Sequence, residues 1–258
     1  MKRLLRLSVT IAGLLLGWQL LVLMTGVPPY LLPDPGSVAG SFQKNAGLIL
    51  KHTQVTALEI LAGMALGALL GCLSALALSY FQGARRWLLP LLIASQAIPV
   101  FAIAPLLVLW LGYGMTSKIA MATLIIYFPV TANFYDGLRH VQPGWLELAR
   151  TMLPAGHRRW ALLRYIAIPA ALPALGSGLR VAAAVAPIGA VVGEWVGSSA
   201  GLGYLMLHAN ARLQIDLMFA ALFTLALLAV TLYFMVDAGL RRLLPWHPEN
   251  TSSAVKSY

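Results

Sequence analysis

Residues 55–80 read VTALEILAGMALGALLGCLSALALSY, with Glu59 as the only charged residue in the stretch. A helix needs roughly 20 mostly apolar residues to cross the hydrocarbon core of a bilayer, and this stretch supplies them. A helix is expected because every backbone polar group at that depth must be satisfied within the segment. Gly63, Gly67 and Gly71 recur every four residues on one face. Small residues at that spacing let two membrane helices approach closely, so the face is expected to pack.

The same reading extends in both directions. Residues 7–27, 87–110, 118–137, 173–195 and 217–240 are also apolar and long enough to span. The expectation is an all-α integral membrane protein with six transmembrane helices. Short alternating segments of a membrane barrel are not found in the sequence. Composition agrees: of 258 residues, 60% are hydrophobic and 10% charged, where a soluble protein is about a quarter charged. The mean hydropathy is +0.81. Lys2, Arg3 and Arg6 precede the first span, which is longer than a secretory core and lacks a small-x-small cleavage site, so it reads as a retained helix. The single cysteine, Cys72, reads as a small buried hydrophobe.

The net charge of +10 raises nucleic acid as a partner, but the placement of the charges argues for topology instead. With the N-terminus in the cytoplasm, thirteen Lys and Arg residues fall inside: Lys2, Arg3, Arg6, Arg85, Arg86, Arg139, Arg150, Arg158, Arg159, Arg164, Arg241, Arg242 and Lys256. Four fall outside, at Lys44, Lys51, Lys118 and Arg212, and Arg180 lies within the fifth span. The positive-inside bias puts both termini in the cytoplasm, and no nucleic-acid partner is expected. Residues 28–54 open with Pro28, Pro29, Pro33 and Pro35 and read as an external loop with a short interfacial helix.

The long cytoplasmic loop, 138–168, carries Glu147-Leu148-Ala149, then Gly156, then Ile166-Ala167-Ile168-Pro169. A short helix, a glycine turn and a second helix form a compact knob through which a soluble motor can push on a membrane protein. Gly156 can take positive φ at the turn, and Glu147 is placed for a polar contact with the motor. This loop resembles that of permease subunits of bacterial ABC importers, whose pattern is Glu-Ala-Ala, three residues, Gly, nine residues, Ile-x-Leu-Pro. Nine residues do separate Gly156 from Ile166, but Leu148 replaces the central alanine and six residues separate Ala149 from Gly156. Pro154 pushes Leu153 away from helical angles, which lengthens the turn.

The resemblance covers roughly residues 55–241. Leu32-Pro33-Asp34-Pro35, Gly193-Glu194 and Gly201-Leu202-Gly203-Tyr204 look like the nitrate, sulfonate and taurine branch of these permeases. The stretch from Ala186-Pro187-Ile188-Gly189 to Tyr204, with His208-Ala209-Asn210-Ala211-Arg212, is similar to permeases for hydroxymethylpyrimidine, a thiamine precursor. The resemblance implies a type I permease fold in the bacterial inner membrane. It also implies cytoplasmic ABC ATPase subunits that bind ATP and Mg, and an external solute-binding protein. Glu147, Ala149, Gly156, Ile166, Ile168 and Pro169 would form the ATPase-coupling loop. Six spans make one half of a pathway, so a homodimer is expected. The domains are then 1–54 (first span and external segment), 55–241 (permease core) and 242–258 (cytoplasmic tail).

The chain has no Gly-x-x-x-x-Gly-Lys-Ser/Thr phosphate loop, no His-Glu-x-x-His and no Gly-x-Ser-x-Gly. The chain is therefore expected to hold no cofactor or metal and to perform no catalysis. Ionisable groups in spans are functional candidates by default. Glu194, set among Pro187, Gly189, Gly193 and Gly197, is the first candidate for a translocation pathway or gate, with Glu59, Gln96, Asn133 and Asn210 behind it. Asp237 and Arg241 stand at i,i+4 and read as a pair. The rival readings are a permease for sulfonate, taurine or nitrate-type anions, an ion-coupled secondary transporter, and a membrane-embedded enzyme. A secondary transporter would show an inverted repeat and mid-membrane charge relays, and the sequence has no obvious repeat.

Overall fold

A computed structural model describes residues 2–152 and 158–246. Eleven α-helices follow one another among the described residues: α1 (Lys2–Thr25), α2 (Pro35–Lys44), α3 (Ala46–Tyr80), α4 (Gln82–Ser95), α5 (Val100–Leu111), α6 (Met115–Arg139), α7 (Pro143–Met152), α8 (Arg158–Leu162), α9 (Ile168–Gly197), α10 (Leu202–Ala211) and α11 (Ile215–Leu243). Five helical stretches, Ser8–Thr25, Ala46–Tyr80, Met115–Arg139, Trp160–Gly197 and Ile215–Leu243, are long and apolar enough to cross a membrane. A sixth crossing is made if α4 and α5 are counted together.

The segment expected to span over 87–110 is thus made of two helices and not one. The chain bends by 103° between Ser95 and Val100. Pro99 stands at the N-cap of α5 with φ −61°, and it has no N–H to continue the α4 ladder. The end of α4 closes instead with i→i+3 bonds, Gln96 N–H to the Ile93 carbonyl at 3.2 Å and Ala97 N–H to that of Ala94 at 3.0 Å.

Two other boundaries differ from the sequence reading. The helix expected from 55 begins at Ala46, so residues 46–54 belong to α3 and not to the external loop. The short helix expected in that region is α2, and it starts where the sequence indicates. Asp34 caps it by accepting from Ser37 N–H at 3.0 Å, with Pro35 in the first turn. The Ser37 hydroxyl and amide hold the Asp34 carboxyl below the usual carboxylate range. The helix expected from 173 begins at Ile168 and continues a π-helical turn, Leu163–Ala167. That turn sends the Ile168 N–H to the Leu163 carbonyl. A widened turn relieves the clash between the Pro169 ring and the preceding carbonyl, so the proline does not break the helix.

The core is a three-helix unit of α3, α6 and α9. α3 and α6 run parallel, and α9 runs antiparallel to both. The glycine face foreseen on α3 does pack. A methyl group added at Gly67 would lie 2.7 Å from Ile126 Cγ2, and one at Gly71 would lie 2.9 Å from Val130. From the other side, Gly189 approaches Ala122 so closely that an added Cβ would stand 2.8 Å from its Cα. α6 is therefore gripped between two glycine-bearing helices, as small-residue membrane packing requires. Ile60, Ala122, Ile126, Val130, Ala182, Ala186 and Ala190 fill the centre, and Cys72 packs against it partly buried.

The remaining spans are peripheral. α11 leans on α9, where Asp237 takes Arg180 Nε at 2.8 Å and Arg241 Nε at 2.8 Å. The expected Asp237–Arg241 pair is present, and Arg180 joins it from a neighbouring helix. α1 is almost wholly exposed along its apolar length and meets α11 through Trp18, whose ring stacks 5.9 Å from that of Phe219.

Candidate functional site

The polar face of α3 continues the glycine stripe toward the helix N-terminus. His52, Thr56 and Glu59 precede Gly63 at steps of three or four residues, so all lie on the face turned to α6 and α9. All three are buried, with Thr56 and Glu59 fully so. Opposite them stand Lys118 in the first turns of α6 and Glu194 in the last turn of α9, 5% and 1% exposed. Lys118 reaches Glu59 because Gly193 leaves room for its aliphatic stem. A Cβ at Gly193 would lie 3.2 Å from Lys118 Cβ and Cγ. The ammonium lies 3.1 Å from Glu59 Oε1. Neither Glu59 oxygen has a hydrogen bond of good geometry among the described residues.

Above this ion pair the chain turns at Ser198–Gly201 and enters α10. A helix begins with backbone N–H groups that have no partner within the helix. Here three consecutive ones are taken by side chains from other spans. Gly201 N–H donates to His52 Nδ1 at 2.9 Å, Leu202 N–H to Thr56 Oγ1 at 2.8 Å, and Gly203 N–H to Glu194 Oε2 at 2.5 Å. Thr56 also donates its hydroxyl proton to Glu194 Oε1 at 2.6 Å. Its one oxygen thus links α3, α9 and α10. The Trp195 indole N–H adds a bond to the Gly203 carbonyl at 3.1 Å.

The glycines of the Gly201-Leu202-Gly203 sequence are explained by this contact. Gly201 has φ +113°, where a side chain is strained, and a Cβ there would collide with the Glu194 carboxylate. A Cβ at Gly203 would stand 2.8 Å from Glu194 Oε2. Only with both side chains absent can the carboxylate reach the start of α10. Glu59 thus faces the Lys118 ammonium, and Glu194 faces the positive end of a helix.

The structure therefore brings Glu59 and Glu194 together and leaves the other candidates apart. Asn133 lies fifteen residues beyond Lys118, about 22 Å along α6 at 1.5 Å per residue. Its amide donates to the Pro129 carbonyl of its own helix at 2.8 Å. Gln96 is exposed at the break between α4 and α5, and Asn210 is exposed near the end of α10. His52, Thr56 and Lys118 were missed by sequence reasoning, which counted Lys118, the first residue of the 118–137 span, only among the outside charges. The stripe of step three and four on α3, extended upstream from Gly63, is the signal that finds the first two.

The other end of the bundle has the opposite character. Glu147 and Ala149 lie in α7, whose Trp145, Glu147, Leu148 and Met152 are exposed. Gly156 lies outside the described residues. Ile166 and Ile168 are half-buried and Pro169 is exposed at the foot of α9. Between α7 and that foot is a cavity of about 650 Å³, lined by His140, Gln142, Trp145, Tyr165, Pro169 and Trp246 among others. Among the described residues, no group of three or more His, Cys, Asp or Glu side chains is arranged to hold a metal ion.

Comparison with known proteins agrees with this architecture. Residues 67–246 match the family described as binding-protein-dependent transport system inner membrane component. A probable ABC transporter permease protein of Haemophilus influenzae is 55% identical over 94% of this chain and 98% of its own length. The riboflavin transport system permease protein RibX of Chloroflexus aurantiacus is 40% identical, over 93% of this chain and 89% of its own. The formylaminopyrimidine transport permease protein ThiX of Halalkalibacterium halodurans is 37% identical, over 89% and 90%. With its family match, its relatives and five to six spanning helices, the chain belongs to the permease subunits of binding-protein-dependent ABC importers, multi-pass proteins of the inner membrane.

Proposed function

We propose that this permease carries a small polar N-heterocycle of the pyrimidine type, such as hydroxymethylpyrimidine or a related thiamine precursor, into the cytoplasm. The observation that carries the reading is the Ala186–Arg212 region, which resembles pyrimidine permeases. It is supported by relatives named for formylaminopyrimidine and riboflavin, both nitrogen heterocycles, at 37% and 40% identity. The second reading is a sulfonate or taurine-type anion, supported by permeases of those names at 31% and 29% identity.

In this proposal both termini are cytoplasmic and two copies of the chain enclose the pathway. Solute is delivered by an external binding protein. Cytoplasmic ATPases, which carry the ATP and Mg, close and push on the knob formed by Glu147, Ala149, Gly156, Ile166, Ile168 and Pro169. Force enters through exposed α7 and passes along α9, one continuous helix to Glu194. Glu194 and Glu59 then act at the external gate, and Gln96, Asn133 and Asn210 contribute to the route at other depths. Alternating access follows as α9 transmits the motion of one end to the other.

The test is to purify the tagged chain in mild detergent and identify its partners by mass spectrometry. An ABC ATPase is expected, with recovery reduced at least tenfold by Glu147→Arg while the permease itself remains folded. The accompanying binding protein is then titrated with hydroxymethylpyrimidine, riboflavin, taurine and nitrate. Tightest binding of taurine or nitrate would replace the pyrimidine reading. Recovery of no ATPase, with gradient-driven uptake by the chain alone, would replace the coupling reading by a secondary transporter.

A further inference from the structure

We propose that Thr56 is the pin of a polar latch at the end of the bundle opposite the 138–168 loop, and that it is a positioning residue for the transport cycle. The inference rests on the reading of the chain as an ATP-driven permease working by alternating access. Its geometry is independent of which solute is carried.

The Thr56 hydroxyl uses both its capacities on different elements, donating to Glu194 Oε1 at 2.6 Å and accepting from Leu202 N–H at 2.8 Å. It is fully buried, so water cannot replace either partner while the site is closed. His52 holds the adjacent Gly201 N–H, and its ring stacks on that of Tyr204 with centroids 5.8 Å apart. Beneath them Glu59 and Lys118 are both buried, and the Glu59 oxygens lack hydrogen bonds of good geometry.

The chemistry of this end differs from that of the rest of the interface. Lower in the bundle, α3, α6 and α9 meet through glycine and alanine packing, which water cannot substitute. At the latch they meet through hydrogen bonds and charges, each of which water can satisfy when the end opens. Buried ion pairs lose hydration that opening restores, and exchanging protein hydrogen bonds for water changes the free energy little. A seal made this way is cheap to open and close. It holds only while its donors and acceptors are matched, and Thr56 matches two of them at once.

Removing the hydroxyl therefore penalises the closed end and not the open one. Thr56→Val keeps the shape but leaves Leu202 N–H buried without its acceptor and takes the hydroxyl donor from Glu194 Oε1. The equilibrium moves toward the outward-open, ATP-closed state that the binding protein otherwise induces. The variant should hydrolyse ATP without the binding protein, which is the reverse of what damage to the fold would do.

The experiment uses the whole permease–ATPase assembly in proteoliposomes, with ATP hydrolysis measured in the absence of binding protein. Thr56→Val is expected to raise that rate at least tenfold over wild type, and Thr56→Ser, which retains the hydroxyl, to stay within twofold. His52→Phe keeps a ring against Tyr204 and removes one acceptor, and should raise the rate several-fold. If Thr56→Val cannot be recovered folded, His52→Phe decides by the same criterion. A monodisperse Thr56→Val assembly with a rate at or below wild type overturns the latch, as does a Thr56→Ser assembly that rises as far as Thr56→Val. A wild-type assembly whose ATP hydrolysis no binding protein stimulates would instead overturn the importer reading on which the latch rests.

Discussion

The α3 helix and the α4–α5 pair are both apolar and both carry small residues, yet one is the centre of the protein and the other lies on its edge. On α3 the small residues keep one face, and α6 fits against Gly63, Gly67 and Gly71 with no space for a methyl group. On α4 the single glycine, Gly83, has nothing within reach of an added Cβ, and no residue of that helix is buried. Apolar character alone does not decide packing in a membrane, because lipid is as apolar as a neighbouring helix. Shape and polar matching decide it.

The comparison is tested most severely at the ion pair beside the α3 stripe. Lys118→Met leaves Glu59 buried without its cation and should destabilise the folded permease by about 3–5 kcal/mol. Thermal unfolding in detergent, followed by intrinsic fluorescence, measures it. A loss near zero would mean that water already reaches Glu59.

Next come two copies of one substitution. Gly67→Ala forces a methyl group against Ile126 and should cost about 1–3 kcal/mol. Gly83→Ala, on an open helix face, should instead be neutral or stabilising by up to about 1 kcal/mol. Equal shifts in the two unfolding curves would remove the distinction drawn between the helices. At the smaller end, Asp237→Asn weakens the contact with Arg180 and Arg241, which are partly exposed to solvent. It should cost at most about 1 kcal/mol, and the difference from wild type should shrink in high salt.

Much of the membrane architecture could be read from the order of residues. Long apolar runs identified the spans, and the four-residue glycine spacing identified the packing face of α3. The break at Pro99 was less legible. A mid-span proline can kink a helix, be absorbed or end it, and Pro129, Pro173 and Pro187 are all carried inside continuous helices. Pro169 is absorbed by a π turn. Local surroundings do not sort these outcomes: Pro90 too is carried inside α4, none of whose residues is buried, whereas the helix has ended before Pro99.

The candidate site was legible in part. Glu59 and Glu194 stood out because charge in an apolar run is expensive. His52 and Thr56 did not, since a histidine and a threonine near a helix start are ordinary, and Lys118, at the edge of its span, read as one of the outside charges.

By itself, then, the sequence determined that this chain lives in a bilayer, roughly where it crosses, and which α3 face is closely packed. Those properties follow from local composition and from the 3.6-residue period. The tertiary structure alone decided that Thr56, Glu59, Lys118 and Glu194 meet at one end of the bundle and that α10 starts against them. Their partners lie 59 residues apart (Glu59 to Lys118) and 138 apart (Thr56 to Glu194). No local rule relates such positions, because the pairing is set by the parallel register of α3 on α6 and the antiparallel return of α9.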